Sequence, residues 1–497
     1  MASLEVVLGV VAAVVLLGVL AVRASVRLGL PSLLIYLAIG ILLGESVLGI
    51  QFSNAPLTES LGLGALVFIL TEGGLTTRWE TVRPALGVGI VLSTVAVVVS
   101  IGVVGVALHL LLDLGWREAF LWGAVLSSTD AAAVFSVLRG VRVRPHLAGA
   151  LELESGMNDA PVVIAVILLA SGESFTWVTP LLVVYELIAG AVIGALLGFG
   201  GAWALRRAAL PATGLYPLAA IAVCVLAYSA GQLAHASGLL ATYVAALVLG
   251  NADLPHRGGV RSFAEGLGSL AQIGLFVLLG LYASPPRLLH AVVPALIVGL
   301  VLLLAARPLS VVASALPFRV PWREQAFLSW AGLRGAVPIV LALIALVEGA
   351  PSAPALVDVV FMLVVVLTLV QGPTLPWVAR FLGVARPAEP HELSVDAAPL
   401  DELSADLLQV RVPVGSQLRG VYVGELRLPR GATVSLVVRD EEAFTPTAET
   451  RLRERDQLLV VTTAQARRAA EERIRAVDQR GRLARWHSGR ERERRRG

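Results

Sequence analysis

Residues 151–170 read LELESGMNDAPVVIAVILLA, placing Glu152, Glu154 and Asp159 in or against a stretch apolar enough to lie in hydrocarbon. A charge near the bilayer centre costs at least about 2.5–3.5 kcal/mol on insertion scales, so an acid at that depth marks a functional site by default. Residues four apart share a helix face, which aligns Glu154 with Asn158 and Ser155 with Asp159. A second concentration of oxygen lies upstream in SSTDAAA, with the hydroxyls of Ser127, Ser128 and Thr129 and the carboxylate of Asp130. Hard cations take oxygen ligands. Asp159, Asp130, Ser155 and a carbonyl near Thr129 would therefore make a small all-oxygen cage for a monovalent metal ion. Such a cage also takes protons, because burial without a partner favours the neutral form of a carboxyl group. Proton and cation then compete for Asp159. One proton traded for one monovalent cation moves no net charge, and the neighbouring Asn158 adds none.

Two free carboxylates on adjacent faces would be costly, so Glu154 needs a partner. Arg307, in LLLAARPLSVVAS, is an equally unexpected charge near the middle of an apolar run, and Arg334 is the alternative. Glu72, in FILTEGGLTTR, is a further intramembrane acid that either lines a cytoplasmic funnel or stabilises the cage. Glu152 is expected nearer the cytoplasmic surface and solvated.

The elements that carry these residues are membrane helices. Of 497 residues 57% are hydrophobic and 15% charged, with a mean hydropathy of +0.80, whereas a soluble domain has roughly a quarter of its residues charged. Runs of about twenty apolar residues, enough to span hydrocarbon as a helix, recur from Leu4 to Leu382. The hydropathy pattern predicts thirteen spans, at 4–22, 30–49, 58–76, 85–112, 118–138, 147–170, 178–205, 214–235, 238–251, 265–283, 288–316, 323–347 and 354–382. The first has Glu5 before it and Arg23 after it, the reverse of a signal peptide's charge order, and reads as a retained span. Every Lys/Arg position is an arginine. Arginines follow the odd-numbered spans, as at Arg23, Arg78, Arg139, Arg142, Arg144, Arg206, Arg257, Arg319 and Arg380, while even-numbered spans are followed only by Arg117 and Arg287. Positive loops face the cytoplasm, so the N-terminus is expected outside and the C-terminal region inside. The net charge of +3 then speaks for membrane anchoring, with no nucleic-acid partner. The single Cys224 excludes an intramolecular disulfide.

Two segments about 206 positions apart begin alike, WREAFLWGAVLSSTDAAAV at Trp116 and WREQAFLSWAGLRGAVPIV at Trp322. Both turn Gly- or Ser-rich and acquire a charge near mid-span, Asp130 in one and Arg334 in the other, yet one starts outside and the other inside. Interrupted helices at matching places in inverted halves point to a transport site. An unwound turn exposes carbonyls and helix-dipole ends, and the Arg334 charge can hold two such breaks together.

The motifs STDAAAV (128–134), LELESGMNDAPVV (151–163) and WAGLRGAVPIV (330–340) resemble the monovalent cation:proton antiporter-1 family over residues 1–385. The resemblance implies an all-α polytopic, sodium/proton-antiporter-like fold with inverted repeats, divided into a dimerisation domain and a moving core, in an electroneutral homodimer of the inner membrane. It assigns ion and proton binding to Asp159, paired with Asn158. It places the broken-helix Thr-Asp on Thr129 and Asp130, the membrane Glu and Ser on Glu154 and Ser155, and the Gly-Leu-Arg-Gly arginine on Arg334. Glu72 matches less closely, because Gly73–Gly74 adds a step.

Past Arg386 the composition turns polar. Residues 386–400 read as a linker, and 401–478 as a small α+β domain with strands in LLQVRVPV, ATVSLVVRD and DQLLVVTT and a helix at about 464–478. Residues 479–497 read as a basic disordered tail near anionic lipid. The stretch LRLPRGATVSLVVRDEEAFTPTAETRLRERDQLLVV resembles the C-terminal domain of regulators of potassium conductance. That resemblance implies either a small cytoplasmic ligand, a cyclic dinucleotide being one candidate, or a dimerising module without ligand. No Gly-x-Gly-x-x-Gly fold precedes it, so neither NAD nor any other cofactor is expected. Antiporter plus this tail resembles the potassium/proton antiporters of cell-volume control, which favours K+ over Na+ as the ion exchanged for H+. A potassium channel would need a Thr-Val-Gly-Tyr-Gly-type filter, and the nearest match, GVYVGE at 420–425, lies in the tail. An intramembrane aspartyl protease could use Asp130 and Asp159 as an acid–base dyad, but the Tyr-Asp and Gly-x-Gly-Asp contexts are missing, so no enzyme is expected.

Overall fold

A computed structural model describes residues 4–28, 31–44, 52–130, 133–134, 137–138, 141, 143–172, 177–385, 395–400, 405–413, 415–439, 442–463 and 465–480. Linker residues 386–394, Arg139, Arg142 and the basic tail from 481 lie outside them. The chain forms two compact units, Met1–Arg386 and Pro387–Gly497.

The first unit is helical. It opens with α1 (Leu4–Leu28), α2 (Ser32–Leu43) and α3 (Ala55–Thr76), followed by α4 (Trp79–Val82) running through a 3-10 turn into α5 (Leu86–Leu112). Next come α6 (Trp116–Val125), α7 (Pro145–Ala170), α8 (Thr179–Arg207), α9 (Leu215–Leu233), α10 (Gly238–Asn251) and α11 (Arg257–Tyr282). The unit ends with α12 (Pro285–Val301), α13 (Arg307–Ala315), α14 (Trp322–Trp330), α15 (Val337–Val347) and α16 (Ala353–Phe381). Among the described residues eight helical segments are long and apolar enough to cross a membrane, and four shorter apolar helices accompany them.

Local chemistry sets the helix ends. Asn54 caps α3 by accepting from the Leu57 N–H at 3.1 Å, and Ser237 caps α10 by accepting from Leu240 at 3.4 Å. In hydrocarbon the attraction between helices comes from close packing, which small residues permit. On α8 the repeat Gly190, Gly194, Gly198 faces Ser237, Ala241 and Ala245 of α10, where a Cβ at Gly190 would lie 2.6 Å from the Ser237 carbonyl oxygen.

Two spans break. Helix α6 stops at Val125, and residues 126–130 run non-helical. Helix α14 stops at Trp330, and α15 resumes only at Val337. The Trp116 and Trp322 segments thus carry interruptions at corresponding places. A π-helical turn, Leu302–Ala306, lies immediately before Arg307. Such turns add a residue to the helical cycle and are frequent at functional sites; here it precedes a buried arginine. The Arg307 Nη2 donates to Glu154 Oε2 at 2.9 Å, and Nη1 donates to Oε1. The pair ties α13 to α7, with side chains only 5% and 2% exposed. Of the two arginines that the sequence offers, Arg307 is the one in contact with Glu154.

The second unit is a five-stranded antiparallel sheet of order β1-β2-β5-β3-β4, made by β1 (Val395–Leu400), β2 (Ala405–Arg411), β3 (Ala432–Arg439), β4 (Glu442–Phe444) and β5 (Gln457–Thr463). Helix α17 (Arg467–Arg480) contributes Ala470, Ile474 and Val477 to its core, against Leu408, Val410, Leu458 and Val460. One expectation needs correction. Residues 395–400 belong to the sheet as β1, pairing Val395 with Val410 through Leu400 with Ala405, and are not linker. Their short, Ala- and Pro-containing sequence hid a strand that exists only through its pairing with β2.

The buried ion pair yields a stability prediction. Arg307→Met leaves Glu154 charged and unpaired, and should cost about 3–5 kcal/mol. Replacing both, Glu154→Leu with Arg307→Met, should recover most of that loss. Unfolding curves of the purified protein in detergent measure both, and a double variant no more stable than the single one would contradict the pairing.

Candidate functional site

The two breaks meet. The Asp130 N–H donates to the Leu333 carbonyl at 2.9 Å, and the Arg334 guanidinium donates to the Ser128 carbonyl. Each unwound segment thus supplies what the other has lost. Arg307 Nη2 also donates to the Leu328 carbonyl at 3.2 Å. The Gln371 amide of α16 donates to the carbonyl of Trp330, the last residue of α14, at 2.9 Å, and the Trp330 indole donates to Thr374 Oγ1 at 3.0 Å. Freed carbonyls in a low-dielectric interior need partners of this kind. Space at the crossing is tight. A Cβ at Gly335 would run into the Asp130 carboxylate, and one at Gly332 would lie 2.6 Å from Arg307 Nε.

Helix α7 presents its acids on two faces, as four-residue spacing dictates. On one, the Thr129 hydroxyl donates to Glu154 Oε1 at 3.2 Å and accepts from Asn158 Nδ2 at 2.8 Å. Asn158, Thr129, Glu154 and Arg307 form one chain of hydrogen bonds. Because the Thr129 hydroxyl is spent there, its backbone carbonyl is the oxygen it can offer an ion. On the other face Ser155 and Asp159 look into a cavity of about 40 Å³, which Thr129 and Asp130 also line. Asp159 is 3% exposed, and its Oδ1 accepts from the Ser128 hydroxyl at 2.8 Å. Among the described residues no arginine or histidine forms an ion pair with Asp159. Pro161, inside α7, lacks the N–H that would bond the Met157 carbonyl, loosening the helix beside Asp159.

The arrangement is a pocket of carboxylate, hydroxyl and carbonyl oxygens with room for a few waters or one partly dehydrated cation, since a water needs roughly 10–15 Å³ of such space. Asp159, Asp130, Ser155 and Thr129 come together around it. Glu154, Asn158, Arg307 and Arg334 stand behind it as supports. Glu72 does not line the cavity; its side chain packs against Gly268 of α11. Glu152 is half-buried rather than freely solvated and lies within hydrogen-bonding reach of the Thr77 hydroxyl, because α3 and α10 cover the end of α7 that its sequence position leaves near the surface. Sequence reasoning missed Gln371, which caps α14, and Gln272 and Phe276 of α11, which line the cavity with Leu66, Ile69 and Leu70 of α3. A neutral amide in an apolar run was the available signal for both glutamines.

Residues 10–381 match the family described as sodium/hydrogen exchanger, transmembrane, and residues 407–475 match the TrkA-C domain. The chain is 36% identical over 444 residues to the K(+)/H(+) antiporter NhaP of Alkalimonas amylolytica, covering 87% of this chain and 77% of that one. It is 35% identical over 450 residues to the K(+)/H(+) antiporter NhaP2 of Shewanella sp. (strain MR-4), covering 88% and 78%. Its fold is similar to the structure of the sodium proton antiporter MjNhaP1 from Methanocaldococcus jannaschii, with a TM-score of 0.68, 23% identity, and 76% and 99% of the two chains covered. Broken helices, oxygen-lined cavity and these relationships converge: the chain belongs to the sodium/hydrogen exchanger family of membrane cation:proton antiporters and carries a C-terminal TrkA-C domain.

Proposed function

We propose that the protein exchanges one cytoplasmic monovalent cation for one external proton, with Asp159 as the carboxylate that both ions use in turn. The observation that carries this reading is the cavity where Asp159, Asp130, Ser155 and Thr129 converge at the crossing of two broken helices. Deprotonated Asp159 would hold the cation with help from Asp130, the Ser155 hydroxyl and the Thr129 carbonyl; protonation would release it. Glu154 is held by Arg307 and takes no part in the trade, and Asn158 is neutral, so the exchange is electroneutral. Alternating access then means that the crossing presents Asp159 to one side at a time. Potassium is the favoured cation, because the two relatives at 36% and 35% identity are named K(+)/H(+) antiporters. Sodium is the alternative, after the name of MjNhaP1. Glu72, deeper along α3, would attract cations toward the cage.

The same reading takes the broken segments and the shorter helices as spans, giving thirteen, with the N-terminus outside and the second unit in the cytoplasm. It makes the protein an inner-membrane homodimer with domains at 1–385 and, once β1 is included, 395–478. The second unit would regulate exchange through a small ligand, a cyclic dinucleotide or another nucleotide being candidates. A groove of about 370 Å³ beside Arg427, Thr433 and Thr447 is a seat of suitable size.

Asp159→Asn should abolish potassium-driven pH change in everted vesicles while the purified variant keeps its melting temperature; undiminished exchange would overturn the assignment. In the unaltered protein, acidification protonates the carboxylate that the cation needs. The apparent KM for K+ should therefore rise as pH falls, by at most about tenfold per pH unit for one competing proton. Initial rates across pH measure it. Removing residues 387–497 should preserve basal exchange and change its response to pH or to added cyclic dinucleotide. Complete loss of exchange in folded, truncated protein would assign the second unit a larger role than regulation.

A further inference from the structure

The cavity has two unlike walls. Asp130, Ser155 and Asp159 furnish the charged one, from the break after α6 and from α7. The facing wall, from α3 and α11, is made of leucine, isoleucine and phenylalanine with a single polar interruption, Gln272. Gln272 and Phe276 are four apart on α11 and share a face, and both line the cavity. From Ile273 to Leu281 no residue carries a polar side chain. The Gln272 side chain makes no hydrogen bond to any described residue. Gln272 is half-buried, and a leucine would complete the apolar wall without placing an amide beside the cavity.

We propose that Gln272 is a further ligand of the transported ion, reaching it through its amide oxygen directly or across one water, and that it determines which monovalent cation the site prefers. The proposal rests on Asp159 being the exchange site. The amide has the chemistry for this part. It offers an oxygen with a partial negative charge and no titratable proton, so it enlarges the coordination shell while leaving the one-for-one balance at Asp159 unchanged. A larger alkali cation needs more oxygens to replace its hydration shell than a smaller one. A fifth oxygen on a flexible stem, opposite the four from Thr129, Asp130, Ser155 and Asp159, therefore favours potassium and rubidium over sodium. A carboxylate there would add a charge to the cycle, and a leucine would leave the cation one ligand short.

The test compares unaltered protein with Gln272→Leu, Gln272→Asn and Gln272→Glu in everted vesicles driven by K+, Rb+ or Na+. Gln272→Leu should raise the KM for K+ and Rb+ by about tenfold, the order of losing one hydrogen bond to a charged partner, with less than a twofold rise for Na+ and a smaller effect on Vmax. Gln272→Asn should fall between, and Gln272→Glu should make exchange sensitive to membrane potential. Equal changes for all three cations, or a fall in Vmax alone, would reduce Gln272 to a packing residue and overturn the proposal. Should Gln272→Leu fail to insert, Gln272→Met carries the same comparison with the same two outcomes. Asp159→Asn run alongside separates the levels. Exchange surviving in that variant removes the site itself, whereas its loss together with unaltered ion preference in Gln272→Leu removes only the role of Gln272.

Discussion

Unwinding a helix inside a membrane strips hydrogen bonds from backbone groups that have no water to replace them, and this constraint organises the first unit. The breaks after Val125 and after Trp330 release carbonyls and N–H groups in the same small volume. Asp130 N–H takes the Leu333 carbonyl at 2.9 Å, Arg334 takes that of Ser128, Arg307 takes that of Leu328 and Gln371 takes that of Trp330. Three of these donors are side chains drawn from different places in the sequence, two of them guanidinium groups. The crossing must therefore sit where α13, α14 and α16 converge, and the oxygen-lined cavity follows from it. The close approach also fixes two glycines, because side chains at 332 and 335 would displace Arg307 and Asp130.

Charge is apportioned as strictly as hydrogen bonds. Glu154 and Asp159 lie five residues apart on one helix, both nearly inaccessible, yet their surroundings differ in kind. Glu154 has a guanidinium against both its oxygens and the Thr129 hydroxyl on one of them, so its charge is neutralised within the protein. Asp159 has the Ser128 hydroxyl at 2.8 Å and open space beyond. A hydroxyl stabilises a carboxylate by hydrogen bonding without cancelling its charge. On the proposed reading, the neutralising partner for Asp159 comes from outside, as a proton or a metal ion. Swapping the two environments would leave the same residues on the helix and no site.

Much of this was legible in the sequence because its determinants are local or charged. Four-residue spacing separates the Glu154 and Asp159 faces, the paired WRE segments locate both interruptions, and a lone arginine such as Arg307 in an apolar run demands an acid. Neutral amides are harder to read, since Gln272 and Gln371 break an apolar pattern less sharply than a charge does. Which of them meets a freed carbonyl depends on packing between helices distant in sequence. The same reason hid β1, whose residues 395–400 become a strand only through pairing with β2. It also hid the half-burial of Glu152, which α3 and α10 impose on a residue near its helix's end.

On the proposed reading, the small volume of the cavity bears on how a cation and a proton would exclude each other. About 40 Å³ holds roughly three waters, far fewer than a hydrated alkali ion carries, so an entering cation must trade most of its shell for protein oxygens. That trade is most favourable when Asp159 is charged, because its hydroxyl and carbonyl neighbours replace water with ligands of similar strength. A proton needs no such space. It binds one carboxylate oxygen, removes the charge of Asp159, and leaves a less negative pocket that water can fill. The two occupants are thus exclusive for two reasons at once, one electrostatic and one steric. Enlarging the pocket would weaken the second while sparing the first, and a hydrated cation could then sit beside a protonated Asp159 without displacing its proton. Tight packing at the crossing, with glycines at 332 and 335, would keep the pocket small enough for the proposed exchange to stay obligatory.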